Sequence, residues 1–541
     1  MPGFVAYGAG SVRRCADCNI PARTWSKMNK ALCNKCENLV AAQVVEREGK
    51  VFLVKDCPRC GPTETLIAAV AARYMMKRKL DSSYEYEGCS FDCLNCRHRK
   101  QPSFIFVDVT NRCNLNCPIC INNTPSMGFL FEPPIEYFEK IFKHFSTCEP
   151  RPAIQLFGGE PTVRKDLLDI IALGRNYGLS MRLVTNGLRL ADPEYARQIV
   201  KSRATVLIAY DGNIPETYGT LRGKAGILEL KQKAIENLCD TGWKKVALMT
   251  CVAKGYNDHE IPALLRFCHD RRQTIRGIYF MPLAHTWDPA KFDLNPERIT
   301  SEDIETLVSN CFPNSKAEFV PAGIFGRFPT LIKVLGVTPP PFTGAHPNCE
   351  SFYILVSDGE KYAPLVDFLK SPIADVMREM FELEKRVAAR RQALETGLFG
   401  RTLAKIGLRS FYERLAVWLS LARAARRHAW LRRIVKGKGI AKGPHALAMA
   451  FALALGKAGS KTFERHTNVQ TPLQMIVLPF EDRFVLESER LERCPNAFAY
   501  VDPADGQVKA VPVCTWPRHK RTVLRQIADH YAAPPQADAN P

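Results

Sequence analysis

Three cysteines spaced C-x3-C-x2-C, namely Cys113, Cys117 and Cys120, constrain this chain more than any other feature. They follow the apolar, β-branched run Phe104–Val107, which places them on a loop at the end of a predicted strand. A [4Fe-4S] cluster takes four thiolate ligands. Three thiols on one short loop therefore hold three irons and leave the fourth iron open to a small chelating ligand. A zinc knuckle, or chance clustering among the 20 cysteines, is the alternative.

Length and composition indicate a large globular protein. The 541 residues predict about three or four domains, and a hydrophobic content of 46% is enough for a buried core. Met1–Gly10 lacks the features of a secretory signal, and the longest apolar run, Ala446–Leu455, is about half the length of a membrane span. Twelve of the 20 cysteines precede residue 121, mostly in C-x2-C pairs. This pattern indicates metal binding in a reducing compartment, so we expect a cytoplasmic protein.

Three C-x2-C pairs open the chain: Cys15 and Cys18, Cys33 and Cys36, and Cys57 and Cys60. Between the second and third pairs, the alternating pattern of Gln43–Val54 predicts a β-hairpin that turns at Glu48-Gly49. Two such knuckles joined by a hairpin form a tetrahedral four-sulfur site for zinc or for a rubredoxin-like mononuclear iron. The residues leave open whether the site is structural or redox-active. The first pair has no predicted partner.

A second C-x3-C-x2-C set lies 24 residues upstream of the first and consists of Cys89, Cys93 and Cys96. Polar, turn-like residues precede it, so no strand leads into this set. We interpret it as an auxiliary [4Fe-4S] site whose fourth ligand comes from elsewhere, with zinc as the alternative. Three isolated downstream cysteines could supply that ligand or hold a third cluster: Cys349, Cys494 and Cys514. Free buried thiols are the alternative for these three.

From Gln101 to about Trp287, strand-like runs alternate with helical patterns, which predicts an α/β fold with a parallel sheet. Six strands are predicted: Phe104–Val109, Ala153–Phe157, Met181–Thr185, Thr205–Tyr210, Lys245–Val252 and Arg276–Met281. In α/β barrels built from parallel strands, the chemistry lies at the carboxyl ends of the strands.

Turn residues follow the second, third and fourth predicted strands: Gly158-Gly159-Glu160-Pro161, Asn186 and Asp211. The two glycines let the backbone approach a ligand closely, and Glu160 together with sheet-edge carbonyls can receive an ammonium group. Asn186 and Asp211 could bind ribose hydroxyls or substrate. Since each is followed by glycine, ordinary turn chemistry explains both equally well.

The formal charge of +20 is concentrated in one segment, where residues 385–442 hold sixteen Lys or Arg against two Glu. Arginines alternate there with Leu and Trp in a helical pattern, as in Trp418 and Trp430. This composition is typical of an interfacial membrane helix that is attracted to anionic lipids. We therefore expect peripheral binding to the inner face of the membrane. A nucleic-acid surface is less favoured, and a solvated hairpin packed on its own protein is the third alternative.

The chain divides into seven predicted segments: a Cys-rich rubredoxin-like or zinc-ribbon-like domain (1–63), an auxiliary cluster segment (64–100), a partial barrel (101–290), a barrel extension (291–384), the basic amphipathic helical segment (385–445), a C-terminal α+β domain with cysteines (446–531) and a disordered tail (532–541).

Taken together, these motifs resemble the radical SAM superfamily, and within it the tetraether lipid synthases and their relatives, the pterin-dependent methyltransferases. The resemblance covers these stretches: Cys33–Cys60, Cys89–His98, Asp108–Cys120, Gln155–Arg164, Thr185–Leu190 and Gly255–Ile261, and more weakly Cys349 and Cys494–Cys514. Two features depart from the family. Cys60 stands where relatives often have His, which changes the ligand set, and the basic segment is not part of the shared pattern.

The resemblance implies a partial (β/α)6 TIM-type barrel in which Cys113, Cys117 and Cys120 hold a [4Fe-4S] cluster that binds S-adenosylmethionine (SAM). It assigns the Gly158–Pro161 loop to the methionine part of SAM. It further implies auxiliary [4Fe-4S] clusters, a rubredoxin-like iron and an external electron donor of the flavodoxin or ferredoxin type. The implied reaction is reductive cleavage of SAM to a 5′-deoxyadenosyl radical, which abstracts hydrogen from an unactivated C–H bond.

The leading hypothesis is that this radical chemistry forms C–C bonds between lipid acyl chains, or modifies them, because a terminal methyl group offers neither an acidic proton nor a leaving group. One-carbon transfer to a pterin or another soluble acceptor is the second hypothesis, and modification of a peptide or RNA is the third. Outside enzymes, the chain could be a zinc-stabilised binding protein.

Overall fold

The computed structural model describes residues 28–81, 86–95, 101–122, 127–287, 296–336, 342–437, 442–454 and 460–532. The predictions made for Cys15, Cys18 and Cys96, and for the tail beyond Ala532, lie outside these residues.

The N-terminal unit is a four-stranded antiparallel sheet with the order β1 (Lys30–Leu32), β2 (Leu39–Arg47), β3 (Lys50–Cys57) and β4 (Gly61–Ala68). Strands β2 and β3 form the predicted hairpin, in which Arg47 is paired with Lys50. The two turn residues have φ angles of 50° at Glu48 and 74° at Gly49. Positive φ at both central positions matches the twist of a two-residue hairpin turn, which is why glycine suits the second position.

The six predicted strands of the parallel sheet are confirmed to within one or two residues. They are β5 (Phe104–Thr110), β6 (Ala153–Gly158), β7 (Ser180–Thr185), β8 (Thr205–Ala209), β9 (Val246–Val252) and β10 (Ile275–Pro282). All seven residues of β9 are buried. Burial of both faces is expected of a parallel strand that is covered on each side of the sheet.

The sheet extends beyond these six strands. Six further strands join it: β11 (Val320–Pro321), β12 (Ser351–Ser357), β13 (Tyr362–Pro364), β14 (Gln470–Val477), β15 (Asn496–Val501) and β16 (Val508–Pro512). Strand β14 is parallel to β10 and β15 is parallel to β5, so eight neighbouring strands run in one direction. Strands from the predicted C-terminal segment thus share a sheet with the barrel, whereas the segment boundaries themselves stay a prediction.

The helices of the described residues are α1 (Ala71–Leu80), α2 (Ile135–Ser146), α3 (Leu167–Asn176), α4 (Pro193–Lys201), α5 (Pro215–Arg222), α6 (Ile227–Asp240), α7 (Ile261–Asp270), α8 (Ser301–Asn310), α9 (Pro329–Leu335), α10 (Ile373–Thr396), α11 (Leu398–Lys405), α12 (Arg409–His428), α13 (Leu431–Ile434), α14 (Lys442–Ala454), α15 (Ser460–His466), α16 (Ser488–Glu492) and α17 (Trp516–Ala532). Within the described ranges, no helix is both long and apolar enough to cross a membrane.

The two faces of the sheet are covered by different parts of the chain. Helices α2 to α7 pack on one face, where residues such as Val107 and Leu156 join the main hydrophobic core. On the other face, Phe104 and Tyr279 pack in a second core with residues of α9, α10 and α12, including Val417. The basic segment therefore packs on the folded protein through buried residues such as Val417.

The two edges of the sheet meet near the N-terminal unit. The backbone N–H of Glu481, which follows β14, donates to Cys514 Sγ at 3.5 Å beyond β16. The side-chain amide of Asn496, at the start of β15, donates to Glu350 Oε1 at 3.2 Å next to β12. The N-terminal unit reaches the same region, because the N–H of Lys30 donates to Ser488 Oγ at 2.8 Å. Contacts far apart in sequence thus join both edges of the sheet and the N-terminal unit.

Candidate active site and metal centres

The loop with Cys113, Cys117 and Cys120 follows β5 directly, as predicted. Asn111 holds its base, since its side-chain amide donates to Phe129 O at 2.6 Å and its Oδ1 accepts the N–H of Phe131 at 2.9 Å. A cleft of about 530 Å³ opens beside this loop and is lined by Asn111, Arg112, Cys113, Asn114, Gly128, Phe129, Leu130 and Val163. A cleft of this size accommodates a small organic ligand.

The three thiols of the loop lie close enough to influence one another. Burial raises the pKa of Cys113 to about 12, and charge on Cys120 and Cys117 adds to the effect. Their sulfur atoms are nevertheless not packed together as around a single ion: in the described chain, only the thiols of the N-terminal unit lie within 4.8 Å of one another as a group. Three thiols on one loop are the ligand number that a [4Fe-4S] cluster with one open iron takes.

The Gly158–Pro161 loop lies against the cysteine loop, and its glycines make that approach possible. The N–H of Gly159 donates to Thr110 O, and the N–H of Glu160 donates to Arg112 O, both at 2.8 Å. A Cβ atom would lie 2.2 Å from Thr110 O at Gly158 and 2.1 Å from Arg112 O at Gly159. The glycines thus let this loop pack against the backbone of the cysteine loop, and their predicted approach to a ligand stays a prediction.

Glu160 is 1% exposed, and both of its carboxylate oxygens accept hydrogen bonds from the protein. Oε1 accepts the hydroxyl of Thr185 at 2.7 Å and both the N–H and the hydroxyl of Thr162, whereas Oε2 accepts the N–H of Asn186 at 2.6 Å. The carboxylate therefore joins the loop after β6 to the end of β7. Its predicted contact with an ammonium group stays a prediction.

Asn186 and Asp211, whose roles the sequence left undecided, lie in different surroundings. The Asn186 side-chain amide donates to Asn114 Oδ1 at 2.7 Å, so it contacts the cysteine loop. Asp211 is fully buried and accepts two hydrogen bonds from the Arg222 guanidinium, at 2.7 and 2.8 Å. Although burial alone would raise it, the pKa of Asp211 is held below its usual range by Arg222. Asp211 thus positions Arg222.

Two cations near this site were not found from the sequence. Arg222, on the unpredicted helix α5, lowers the pKa of Cys117 against the larger raising effect of burial, so it lies beside this thiol. Lys231 on α6 donates to Asn186 O and to Ala209 O, both at 2.6 Å, and burial lowers its pKa to about 8. The sequence does mark Lys231 as unusual, because this lysine falls on the apolar face of α6 among buried Ile, Leu and Ala residues.

The N-terminal unit brings together the four predicted cysteines Cys33, Cys36, Cys57 and Cys60, whose sulfur atoms all lie within 4.8 Å of one another. The sulfurs of Cys36 and Cys57 are 3.8 Å apart. Tetrahedral zinc with Zn–S bonds of about 2.3 Å requires S···S distances of about 3.8 Å. The four residues therefore fit one zinc ion.

The remaining predicted ligands converge in part. Burial raises the pKa of Cys514, and charge on Glu481, Cys494 and Cys349 raises it further, so the three downstream thiols share one region. Cys89 borders the same small apolar cluster as Cys514, and Cys93 is buried. The structure thus brings the auxiliary segment close to the downstream cysteines, and a cluster bound between them stays a prediction.

Comparison with known proteins identifies the family. The model of the radical SAM superfamily matches residues 107–268, and that of the HMPTM N-terminal zinc ribbon domain matches residues 25–69. Over 376 residues, the chain is 31% identical to the 7,8-dihydro-6-hydroxymethylpterin dimethyltransferase of Methanocaldococcus jannaschii, which covers 66% of this chain and 73% of that protein. This chain belongs to the radical SAM superfamily.

Other proteins match over shorter ranges. The GTP 3′,8-cyclase of Marinobacter nauticus is 28% identical over 220 residues, which is 40% of this chain and 64% of the cyclase. The crystal structure of SuiB from Streptococcus suis has a TM-score of 0.34 and 13% identity and covers 56% of this chain and 75% of that one.

Membership makes the chain a radical SAM enzyme, and it implies a [4Fe-4S] cluster, SAM and an external electron donor. The ribbon match, together with the geometry of the four sulfurs, favours zinc over a rubredoxin-like iron. Of the branch predicted from the sequence, the pterin methyltransferase part is supported by homology. The lipid synthase part is not supported by these relatives.

Proposed function

We propose that this radical SAM enzyme transfers one-carbon units from the methyl group of a second SAM molecule, which leaves as S-adenosylhomocysteine, to an unactivated carbon of a pterin or a related soluble acceptor, with electrons from the external donor. The observation that carries the proposal is the 31% identity with a pterin dimethyltransferase over 73% of that protein. When bound, the cluster and SAM supply a 5′-deoxyadenosyl radical that abstracts a hydrogen atom from a C–H bond.

In this proposal the chain's own residues hold and orient the reactants. Cys113, Cys117 and Cys120 would be the ligands of the SAM cluster. The Gly158–Pro161 loop would contact the methionine part of SAM, and Glu160 would keep that loop aligned with the end of β7. Because Lys231 donates to the carbonyl groups of Asn186, which follows β7, and of Ala209, the last residue of β8, it would keep the adjoining loops in register.

The test uses the full chain, reconstituted anaerobically with iron, sulfide and zinc and reduced with dithionite. Formation of 5′-deoxyadenosine from SAM is measured alone, with 7,8-dihydro-6-hydroxymethylpterin, and with saturated phospholipid. The proposal expects the pterin to stimulate the reaction and to gain one-carbon units in its mass spectrum. No SAM cleavage by a cluster-loaded protein would refute the proposal.

A second candidate is the formation or modification of C–C bonds in lipid acyl chains, because the chain exposes apolar and basic side chains together on α11 and α12. In the same experiment this candidate expects the phospholipid, and not the pterin, to stimulate formation of 5′-deoxyadenosine. Lipid analysis would then reveal a cross-linked or extended acyl chain.

We also infer an auxiliary [4Fe-4S] cluster at Cys89, Cys93 and Cys96, with its fourth ligand from Cys494 or Cys514. Proximity supports this inference, since Cys89 and Cys514 border one apolar cluster. Iron and sulfide are counted in Cys494→Ala, in Cys514→Ala and in the control Cys268→Ala, which changes a buried thiol of the main core. Loss of iron in one of the first two variants supports the cluster, whereas unchanged iron in both excludes these ligands.

A further inference from the structure

The hairpin formed by α10 and α12 is anchored to the protein at one end. Glu384 on α10 is buried and accepts the N–H groups of Thr330 and Leu331 at 2.8 and 2.9 Å, at the start of α9. Phe381 stacks on Phe328 with 5.3 Å between ring centroids. These contacts fix the base of the hairpin. Because α10 has 24 residues and so is about 36 Å long, its last turns extend well beyond the base.

The far end of the hairpin, residues 398–408, is here called the tip. Apolar side chains dominate its exposed surface: Leu398 is 81% exposed, Phe399 59%, Ile406 60% and Leu408 50%. The ring of Phe399 lies 5.6 Å from that of Tyr412, which is itself 37% exposed, so the apolar surface continues onto α12. Single exposed apolar residues are ordinary, but such a group at one end of a hairpin indicates a binding surface.

The tip is a fixed structure and not a loose loop. Helix α11 covers Leu398–Lys405, and a Cβ atom at Gly400 would lie 1.8 Å from Leu394 O. Leu394 is itself buried under the tip. The exposed side chains are therefore held outward by tight backbone packing between α10 and α11.

The charges at the tip are all positive. The two acidic residues of the basic segment, Glu395 and Glu413, both form ion pairs with arginines. Arg391 lies 3.1 Å from Glu395. Arg409 lies 3.2 Å from Glu395 and 3.1 Å from Glu413. Arg401 and Lys405 of the tip make no ion pair with any acidic side chain of the described chain. The surface that remains for a partner is apolar and cationic.

We propose that the tip inserts into the surface of an anionic phospholipid bilayer. Exposed Leu, Ile and Phe side chains gain free energy by entering the acyl boundary, while Arg401 and Lys405 stay at the headgroups. A second copy that meets the first tip to tip is a poor partner because it would bring a surface of the same charge. Nucleic acid would use the cations but would leave the four apolar side chains in water.

The structure also separates the apolar residues of the basic segment into those that are buried against the protein and those that are exposed at the tip. Val417 and Ala424 of α12 are buried against the protein, and Trp430 packs beneath Lys370 and Arg432, whose charged ends lie 5.3 and 4.9 Å from its ring centroid. Leu419 of α12 is also 50% exposed but lies outside the group of four exposed apolar residues, so we expect the membrane contact at the tip and not along the whole basic segment. This inference does not depend on the proposed substrate, since a soluble acceptor is compatible with an enzyme bound to a membrane.

The test is flotation of the reconstituted holoprotein with vesicles of phosphatidylcholine alone or of about three parts phosphatidylcholine to one part phosphatidylglycerol. Binding is expected only to the anionic vesicles. The variant L398S/F399S/I406S/L408S should bind about tenfold more weakly or worse, because it removes the inserted side chains. The variant R401Q/K405Q should lose roughly fivefold for each charge removed.

Two matched controls carry the same kinds of change elsewhere. M75S/L230S replaces side chains that are 42% and 44% exposed on α1 and α6, and K201Q/K233Q removes two exposed lysines on α4 and α6. Both should float like the wild type. Absence of wild-type binding, or equal binding by the apolar variant, would overturn the proposal. Binding to single-stranded RNA that depends on Arg401 and Lys405 but not on the apolar residues would overturn it in favour of nucleic acid.

Discussion

The zinc ribbon and the cysteine loop after β5 both present thiols, yet they are built on opposite principles. In the ribbon, two knuckles at the ends of one hairpin bring four sulfurs within 4.8 Å of one another by local structure alone. The loop carries three thiols within eight residues of sequence, and the backbone around it comes from another part of the sheet. The N–H groups of Gly159 and Glu160 donate to the carbonyl groups of Thr110 and Arg112. Four sulfurs gathered in one group suit a single ion, whereas three thiols on a loop that packs against a second loop suit a cluster with one open iron.

This difference predicts that the two sites fail independently. Changes in the ribbon should leave the SAM site loaded, and changes in the loop should leave zinc bound. Four sets of variants probe the two sites and their supports, from the largest expected effect to the smallest.

Replacing Cys113, Cys117 and Cys120 together by Ala should abolish SAM cleavage and remove one [4Fe-4S] cluster, because three of its four irons lose their ligands. Mössbauer spectra and iron counts measure the loss, and zinc content should stay at one per chain. The control Cys148/Cys239/Cys311→Ala changes three half-buried single thiols and should keep all iron. Loss of zinc in the first variant would contradict the independence of the two sites.

Arg222→Met should lower the free energy of unfolding by about 3–5 kcal/mol, because Asp211 becomes a buried carboxylate without its partner. Anaerobic urea unfolding measures this change. In the control Arg197→Met, the lost pair with Glu194 is about half exposed, so the change should stay below about 1 kcal/mol. Similar effects for the two variants would show that the buried pair between Asp211 and Arg222 stabilises the fold no more than an exposed pair does.

Gly159→Ala should reduce SAM cleavage by about a hundredfold, because the new Cβ atom would meet Arg112 O and displace the loop by about an ångström. The rate of 5′-deoxyadenosine formation is the readout. Gly226→Ala is the matched control, since a Cβ atom added at Gly226 would have no neighbouring atom within 4 Å. Full activity in Gly159→Ala would mean that the close backbone approach is not required.

Glu37→Gln should loosen the ribbon only slightly, by less than about 1 kcal/mol, although Glu37 bonds both Arg483 and Arg518, at 2.7 and 2.9 Å. Hydrogen exchange of the ribbon amides measures the change, with Glu64→Gln as a control whose partner Arg47 lies within the ribbon itself. A large loss of protection would show that the ribbon depends on docking for its stability.

Local patterns in the sequence were sufficient for much of this site. The spacing of Cys113, Cys117 and Cys120 indicated the radical SAM superfamily, the alternating pattern before Cys57 predicted the ribbon hairpin, and the β-branched runs located six strands to within one or two residues. Helix α5 was missed because Pro215–Arg222 is short and contains Thr, Tyr and Gly, which weaken the helical signal.

What the sequence by itself determined is the pattern of the radical SAM superfamily, the four cysteines of the ribbon and the parallel strands, because spacing and periodicity are local properties of the chain. Only the tertiary structure decided that β14 and β15 extend the same sheet, that Asp211 pairs with Arg222, and that Cys349, Cys494 and Cys514 converge. It also decided which apolar residues of the basic segment are buried and which form the tip. These outcomes depend on contacts between residues far apart in the chain, which no local pattern encodes.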